Sequence, residues 1–224
     1  MKVYVHEPQG TEHITNILKY SINKYWSNNI DLNIIKFSNE YRSPEFWADD
    51  FYNYFSNIDD DFFILILNDM ILMSDVDTEL LKKLEMHLDN SVGRIGLTKD
   101  IESRVISILD DKSLKVYQGW FYVNDNIIEL YQNVNYRLSL INSIWNRMFF
   151  LNYLKDVKTP WEFETQPQND NYRILGSKGH YVMNLCHMLS KGKINDDWNY
   201  SCFSSGKMCD DDYIYIKNQL NIPN

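Results

Sequence analysis

This 224-residue chain predicts an α/β fold, a mixed sheet with flanking helices and an irregular C-terminal elaboration. Three observations carry that expectation. The run Phe62-Phe63-Ile64-Leu65-Ile66-Leu67 is six consecutive apolar residues that stop at Asn68-Asp69, the pattern of a central strand buried on both faces. Up to about residue 100, strand-like and helix-like segments alternate, the signature of a parallel sheet. Beyond that point the chain turns to aromatic and β-branched stretches interrupted by Asn124-Asp125-Asn126, which read as a hairpin.

The elements follow in order. Val3-Tyr4-Val5 is a short first strand ending in the loop His6-Glu7-Pro8-Gln9-Gly10. Ile14, Ile17, Leu18, Ile22 and Trp26 recur at helical spacing, so residues 11–26 form a helix. Residues 31–37 (DLNIIKF) are the second strand, and Ser43-Pro44-Glu45 opens a helix with proline at its first position. After the strand at 62–67, Asp77 is placed to cap a helix over 77–88, and Arg94 to Thr98 is a further strand. The hairpin spans 114–123 and 127–131. Tyr136 to Leu140 reads as another strand, Ile141 to Leu154 as a helix, and 180–190 as one more helix in a polar tail.

Composition narrows the function. Hydrophobic residues at 44% and aromatics at 15% supply the core of a single domain, and sixteen tyrosines and six tryptophans leave rings over for a cleft wall. A formal net charge of −9 disfavours a broad nucleic-acid footprint. Cys186, Cys202 and Cys209 are an odd number, all late in the chain, which fits a reducing compartment better than a disulfide scaffold. No apolar run reaches membrane-spanning length and no basic-then-apolar signal opens the chain. The expectation is a soluble cytoplasmic protein.

Several residues are candidates for chemistry. Ligands of open α/β sheets bind outside the carboxyl ends of the strands, where Asp69 stands. An acid there can hold a metal and through it a phosphate, or simply cap the next turn. Asp75-Val76-Asp77 also spells two spaced acids, but its place before an amphipathic helix makes it a cap. Trp161-Glu162-Phe163-Glu164 interleaves acids with rings, as in a cleft wall or at a helix start after Pro160. Cys186, His187, His180, Cys202 and Cys209 lack the tight Cys pairs of structural zinc. Dinucleotide, P-loop and serine-hydrolase motifs are absent.

A set of segments resembles a family of bacterial and viral GT-A-like glycosyltransferases. They are residues 21–28 (SINKYWSN), Ser38-Asn39-Glu40, Trp47-Ala48-Asp49-Asp50, residues 63–72 ending in Asn68-Asp69-Met70-Ile71-Leu72, Tyr136-Arg137-Leu138-Ser139-Leu140, Ile144-Trp145, and Thr159-Pro160-Trp161-Glu162-Phe163-Glu164. Their order and separations agree over roughly residues 14–193, and the Pro-Trp-Glu-Phe-Glu string is the most specific piece. The chain departs from the family at Asn68, where the strand-end pair normally begins with an acid, and at Ile141, where glutamine is usual.

The resemblance implies a GT-A-like, Rossmann-like domain over residues 1–224. Within it, 1–100 form a nucleotide-sugar-binding half, 101–193 an acceptor-side half and 194–224 a tail. It implies sugar transfer from a nucleotide-sugar to a hydroxyl of a glycan or, in a viral setting, a modified DNA base, which the acidic charge disfavours. Asp69 would hold Mg²⁺ or Mn²⁺, with Asn68 able to lend an oxygen and Asn39 near the base or ribose. Glu162 or Glu164 would orient or deprotonate the acceptor, and Trp145, Trp161 and Arg137 would contact substrate. The rival expectations are a non-catalytic sugar or nucleotide-sugar binding protein on a degenerate GT-A scaffold, kept open by Asn68, and a structural protein whose aromatics only pack.

Overall fold

The computed structural model describes residues 1–26, 30–37, 43–110, 113–166, 170–190, 193–194 and 208–220. In chain order the elements are β1 (Lys2–His6), α1 (Glu12–Tyr25), β2 (Leu32–Ile35), α2 (Trp47–Ser56, entered through a 3₁₀ turn at Pro44–Phe46), β3 (Phe62–Leu67), β4 (Met70–Leu72), α3 (Thr78–Glu85) and β5 (Val92–Gly96). There follow β6 (Val105–Asp110), β7 (Ser113–Gln118), β8 (Trp120–Asn124), β9 (Ile127–Leu130), β10 (Ser143–Asn146), α4 (Arg147–Leu154) and α5 (Pro160–Thr165). The last are β11 (Arg173–Ser177), β12 (Leu185–His187), β13 (Leu189–Ser190), β14 (Lys193–Ile194) and α6 (Asp210–Gln219).

Eight strands make the central sheet, in the order β2-β1-β3-β10-β5-β11-β9-β8. β1 is parallel to β2 and β3, as the alternating first hundred residues require. β10 then enters antiparallel between β3 and β5, which makes the sheet mixed. Both faces are covered. Val3, Val5, Ile64, Ile66 and Ile95 pack against α1 and α3 on one side. Tyr4, Phe63, Leu65 and Trp145 pack against α2, α4 and α5 on the other. The period-2 alternation within β1 and β3 therefore sends neighbours into two separate cores, which is why the run 62–67 carries no polar residue.

The expected strand at 114–123 is two strands, broken at Gly119. A Cβ at Gly119 would meet the Arg104 carbonyl oxygen at 2.7 Å, and its own N–H donates to that oxygen at 3.0 Å. β7 consequently pairs back onto β6, while β8 pairs forward with β9 across the predicted turn. Residues 136–140 form no strand: 136–138 lie in a turn, with Tyr136 at φ +56°. The expected helix over 141–154 opens as β10 and turns helical only from Arg147, where the Asn146 side chain caps by accepting from Phe149 N–H at 3.0 Å. The region 180–190 holds β12 instead of a helix. It pairs antiparallel with β4, matching His187 with Met70 and Leu185 with Leu72. Among the described residues no helix is long and apolar enough to cross a membrane.

Candidate functional site at the carboxyl edge of the sheet

β1 and β3 run parallel and end together, His6 opposite Leu67, so their following residues share one edge. Asn68 and Asp69 turn there in different directions. Asn68 is buried, and its Nδ2 donates to Thr11 Oγ1 at 2.8 Å and Thr15 Oγ1 at 3.1 Å on the first turns of α1. Thr11 Oγ1 in turn donates to the Pro8 carbonyl at 2.5 Å. The asparagine ties the β1–α1 loop to β3. An aspartate could accept from these hydroxyls but has no N–H to offer, so this clasp accounts for the amide. Its Nδ2 is committed to α1, so Oδ1 is the atom that the expected contribution to a cation beside Asp69 would need.

Asp69 faces β12. Its Oδ2 lies 3.0 Å from His187 Nε2, with both side chains partly exposed. The backbone holds the pair in register, since Met188 N–H donates to the Asp69 carbonyl at 2.8 Å. Behind them stands His6, its ring 5.4 Å from Phe37 and 5.0 Å from Phe51 between centroids. Burial pulls the His6 pKa down to about 4, against the opposing pull of the Asp69 charge, so this imidazole is neutral at pH 7. Glu7 is buried beside it. Burial works against its charge, yet the Lys36 ammonium and the Thr15 hydroxyl outweigh burial and hold the carboxyl below its ordinary range.

The other predicted residues lie elsewhere. Trp145 is sealed in the core between Phe149, Phe150 and Phe163, with the Arg94 guanidinium 5.4 Å from its ring. A fully buried ring offers no face to a sugar, which corrects its assignment to substrate. Arg137 is corrected in the same way. Its buried guanidinium pairs with Asp170 at 3.3 Å and donates to the Tyr172 carbonyl, bracing the chain before β11. Trp161 is 64% exposed on the first turn of α5. Asn39, Ser38 and Glu40 lie outside the described residues.

The two glutamates separate. Glu162 closes a capping box: its Oε2 accepts from the N–H groups of Lys158 (2.7 Å) and Thr159 (3.2 Å), while Thr159 Oγ1 accepts from Glu162 N–H at 3.2 Å. The Lys158 N–H, then that of Thr159, holds its carboxyl below the usual range. This is the helix-start role, and it replaces the acceptor role. Glu164 is partly buried and its Oε1 accepts from Leu140 N–H at 2.7 Å. Burial pushes its pKa up, opposed by that N–H and by Arg94. It lines a cavity of about 410 Å³ with Gln132, Asn133, Asn135, Tyr136 and Gln166, and neither Asp69 nor His187 borders that cavity.

Sequence reasoning missed His187 and His6 as partners of Asp69. His6 carried a signal, since it ends the first predicted strand. His187 carried none, because β12 was not legible as a strand. Arg94 was also missed. It is fully buried in β5, donating to Ser143 Oγ (2.9 Å), the Arg137 carbonyl (3.1 Å) and Asp100 (3.0 Å), and an arginine inside a buried strand does point to an internal partner.

The Asp69–His187 pair can be tested for a divalent ion. At 3.0 Å the two atoms make an ordinary hydrogen bond or ion pair, and two ligands of one ion, each about 2.1 Å from it and at right angles, would also stand about 3 Å apart. Among the described residues no group of three or more His, Cys, Asp or Glu could hold a metal. An ion held by these two residues alone would keep its remaining positions for water or phosphate.

No family model and no curated protein sequence matches the chain. Solved structures do match. UDP-glucose pyrophosphorylase complexed with UDP-glucose aligns over 98% of this chain and 81% of its own, at 10% identity and TM-score 0.46. A197 from STIV aligns over 85% of this chain and 87% of its own, at 12% identity and TM-score 0.39. HddC from Yersinia pseudotuberculosis aligns over 98% of this chain and 100% of its own, at 13% identity and TM-score 0.38. The chain's own sheet places it in the α/β class: a mixed sheet, parallel in its first half, with helices on both faces.

Proposed function

We propose that the protein is a nucleotide-sugar-dependent glycosyltransferase with a GT-A-like fold, whose donor binds at the carboxyl edge of β1 and β3. The observation that carries this reading is the Asp69–His187 pair at 3.0 Å, standing where ligands of open α/β sheets bind. Asp69 Oδ2 and His187 Nε2 would hold a divalent cation, and the imidazole favours Mn²⁺ over Mg²⁺. When bound, the cation neutralises charge on a diphosphate leaving group.

The chain's own groups supply the rest. Asn68, through Thr11 and Thr15, holds the β1–α1 loop against the edge and so shapes the donor's seat. His6, neutral and flanked by rings, offers a hydrogen-bonding face that adds no charge beside a diphosphate. The buried Glu7 is already matched by Lys36 and adds little net charge to the seat.

The test is thermal shift against nucleoside diphosphates and nucleotide-sugars, with and without Mn²⁺. A bound donor raises Tm by mass action. The expected result is a selective, Mn²⁺-dependent rise that Asp69→Ala and His187→Ala both remove. A rise that survives Asp69→Ala, or no rise with any donor, refutes the reading.

A further inference from the structure

We propose that the cavity beside Glu164 is a second binding site, separate from the carboxyl edge, and that it takes a pyranose ring of a glycan. It holds about 410 Å³, the size of a small-molecule pocket, and is lined by Gln132, Asn133, Asn135, Tyr136, Glu164 and Gln166. Its wall comes from the loop between β9 and β10 and from the last turn of α5. Both pack on the α2–α4–α5 face of the sheet through Val134, Leu138, Leu140 and Phe163. Asp69 and His187 do not line it, so the inference stands without the donor reading.

The lining is rich in acceptors. Gln166 Nε2 donates to the carbonyls of Tyr153 (3.1 Å) and Phe163 (3.2 Å), and Gln132 Nε2 donates to the Tyr172 carbonyl at 3.2 Å. Gln166 therefore has only its amide oxygen left to offer, and Gln132 its oxygen and one N–H. Glu164 Oε1 accepts from Leu140 N–H, while Oε2 has no partner among the described residues. Burial pushes the Glu164 pKa up, opposed by that N–H and by Arg94. The carboxylate is short of water, and a hydroxyl donor would supply what solvent does not. Among the described residues the side chains of Asn133 and Asn135 have no hydrogen-bond partner, so each keeps both donor and acceptor.

This mixture selects a ligand. An ammonium group only donates and would leave the asparagine N–H groups unmatched. A phosphate only accepts and would leave the carboxylate and amide oxygens unmatched. Hydroxyls do both, and a pyranose carries them around its whole edge.

Tyr136 supplies a surface for the apolar face of such a ring. It is half exposed, and its φ of +56° lies in the left-handed region that bulky side chains rarely adopt. Burial does not offset that strain at a half-exposed ring, whereas a ligand packed on it would. The Arg104 guanidinium, 5.6 Å from the ring centre and paired with Asp100, steadies it. On α5 the exposed Trp161 stands one turn before Thr165, a further lining residue, and extends the same wall.

The test follows the side-chain amide ¹H–¹⁵N resonances of the full chain. It is titrated in turn with the methyl glycosides of glucose, galactose, mannose and N-acetylglucosamine, and with spermidine and inorganic phosphate. At least one glycoside is expected to shift the Asn133, Asn135 and Gln132 amides saturably. No shift with any glycoside, or a shift confined to residues outside the cavity, overturns the proposal. The same amides answering spermidine or phosphate but no glycoside would overturn the ligand class. Glu164→Gln keeps an oxygen for Leu140 N–H but loses the charge, and is expected to weaken glycoside binding at least about tenfold. Tyr136→Gly relieves the backbone and removes the ring, so it should weaken binding by a similar factor with the backbone amide spectrum of β3 and β10 unchanged. Affinity within about twofold of wild type in either variant overturns the assignment. Asp69→Ala is expected to leave glycoside affinity unchanged. Loss of binding in that variant would put the ligand at the carboxyl edge and overturn the separate site.

Discussion

His6 makes the fold acid-sensitive in a calculable way. An unfolded chain protonates this imidazole near its ordinary value of 6.5, while burial among Phe37, Phe51 and the edge of β1 brings the folded value down to about 4. The folded pKa is depressed, so the contribution is intact above pH 6.5 and is lost as pH falls towards 4. The difference is about 2.5 pH units, and at 1.36 kcal/mol per unit this amounts to about 3 kcal/mol. The perturbation is His6→Gln, which cannot titrate. The assay is urea unfolding of both proteins at pH 7.5 and pH 4.0, in chelator so that no cation sits on Asp69. Packing losses in the variant are the same at both pH values and cancel in the comparison. Wild type should lose about 3 kcal/mol more than the variant on going to pH 4.0. Parallel losses, or a His6 resonance that titrates above about pH 6, would refute the reasoning.

Other outcomes follow from the same geometry. Asp212, buried on α6, receives Lys24 Nζ at 2.6 Å, Tyr20 O–H at 2.9 Å and the Tyr25 hydroxyl; Asp212→Ala should raise opening of α6 by about 2 kcal/mol, read as roughly thirtyfold faster amide exchange over residues 210–219 with β1 and β3 unchanged. Glu164 has its pKa raised by burial, so the stability it contributes is present in acid and is lost as pH rises through the folded value. Glu164→Gln should therefore gain on wild type between pH 4 and pH 7, measured by urea midpoints. Trp145→Ala should cost about 3–5 kcal/mol in denaturant unfolding, the price of an emptied core site. Trp145→Phe should fold and bind donor as wild type does, and weakened donor binding in the folded Trp145→Phe protein would restore the sugar-stacking role.

What could be read in the sequence was whatever repeats a period long enough to see. α1 shows Ile14, Ile17, Leu18 and Ile22 on one face, and β3 shows an unbroken apolar run, so both were legible. β10 was not. Its four residues are buried on both sides, and Ser143-Ile144-Trp145-Asn146 runs without a break into the helix that follows, so residues 141–154 read as one apolar stretch. β12 is three residues long and exists because β4 offers it a partner. The site divided along the same line. Asp69 was visible because a buried strand ends there, whereas His187 reaches it from 118 residues away through a ribbon that no local pattern announces. The glutamates show the opposite error: the Pro-Trp-Glu-Phe-Glu string is conspicuous, yet Glu162 spends its carboxylate on capping α5.

The position of β10 also governs the order in which the molecule can be built. β3 and β5 are separated by a strand that arrives only at residues 143–146, so the two halves of the central sheet cannot touch edge to edge until that segment is present. A nascent chain that has exposed β1 through β5 leaves one edge of β3 and both edges of β5 without their partners, open to wrong ones. Pairing residue 144 with residues 64 and 95 closes long loops, and non-local contacts of that kind set the pace of folding. Synthesis of four residues about two-thirds of the way along the chain is the event that lets β5 join β3, and β11 later brings in β9 and β8.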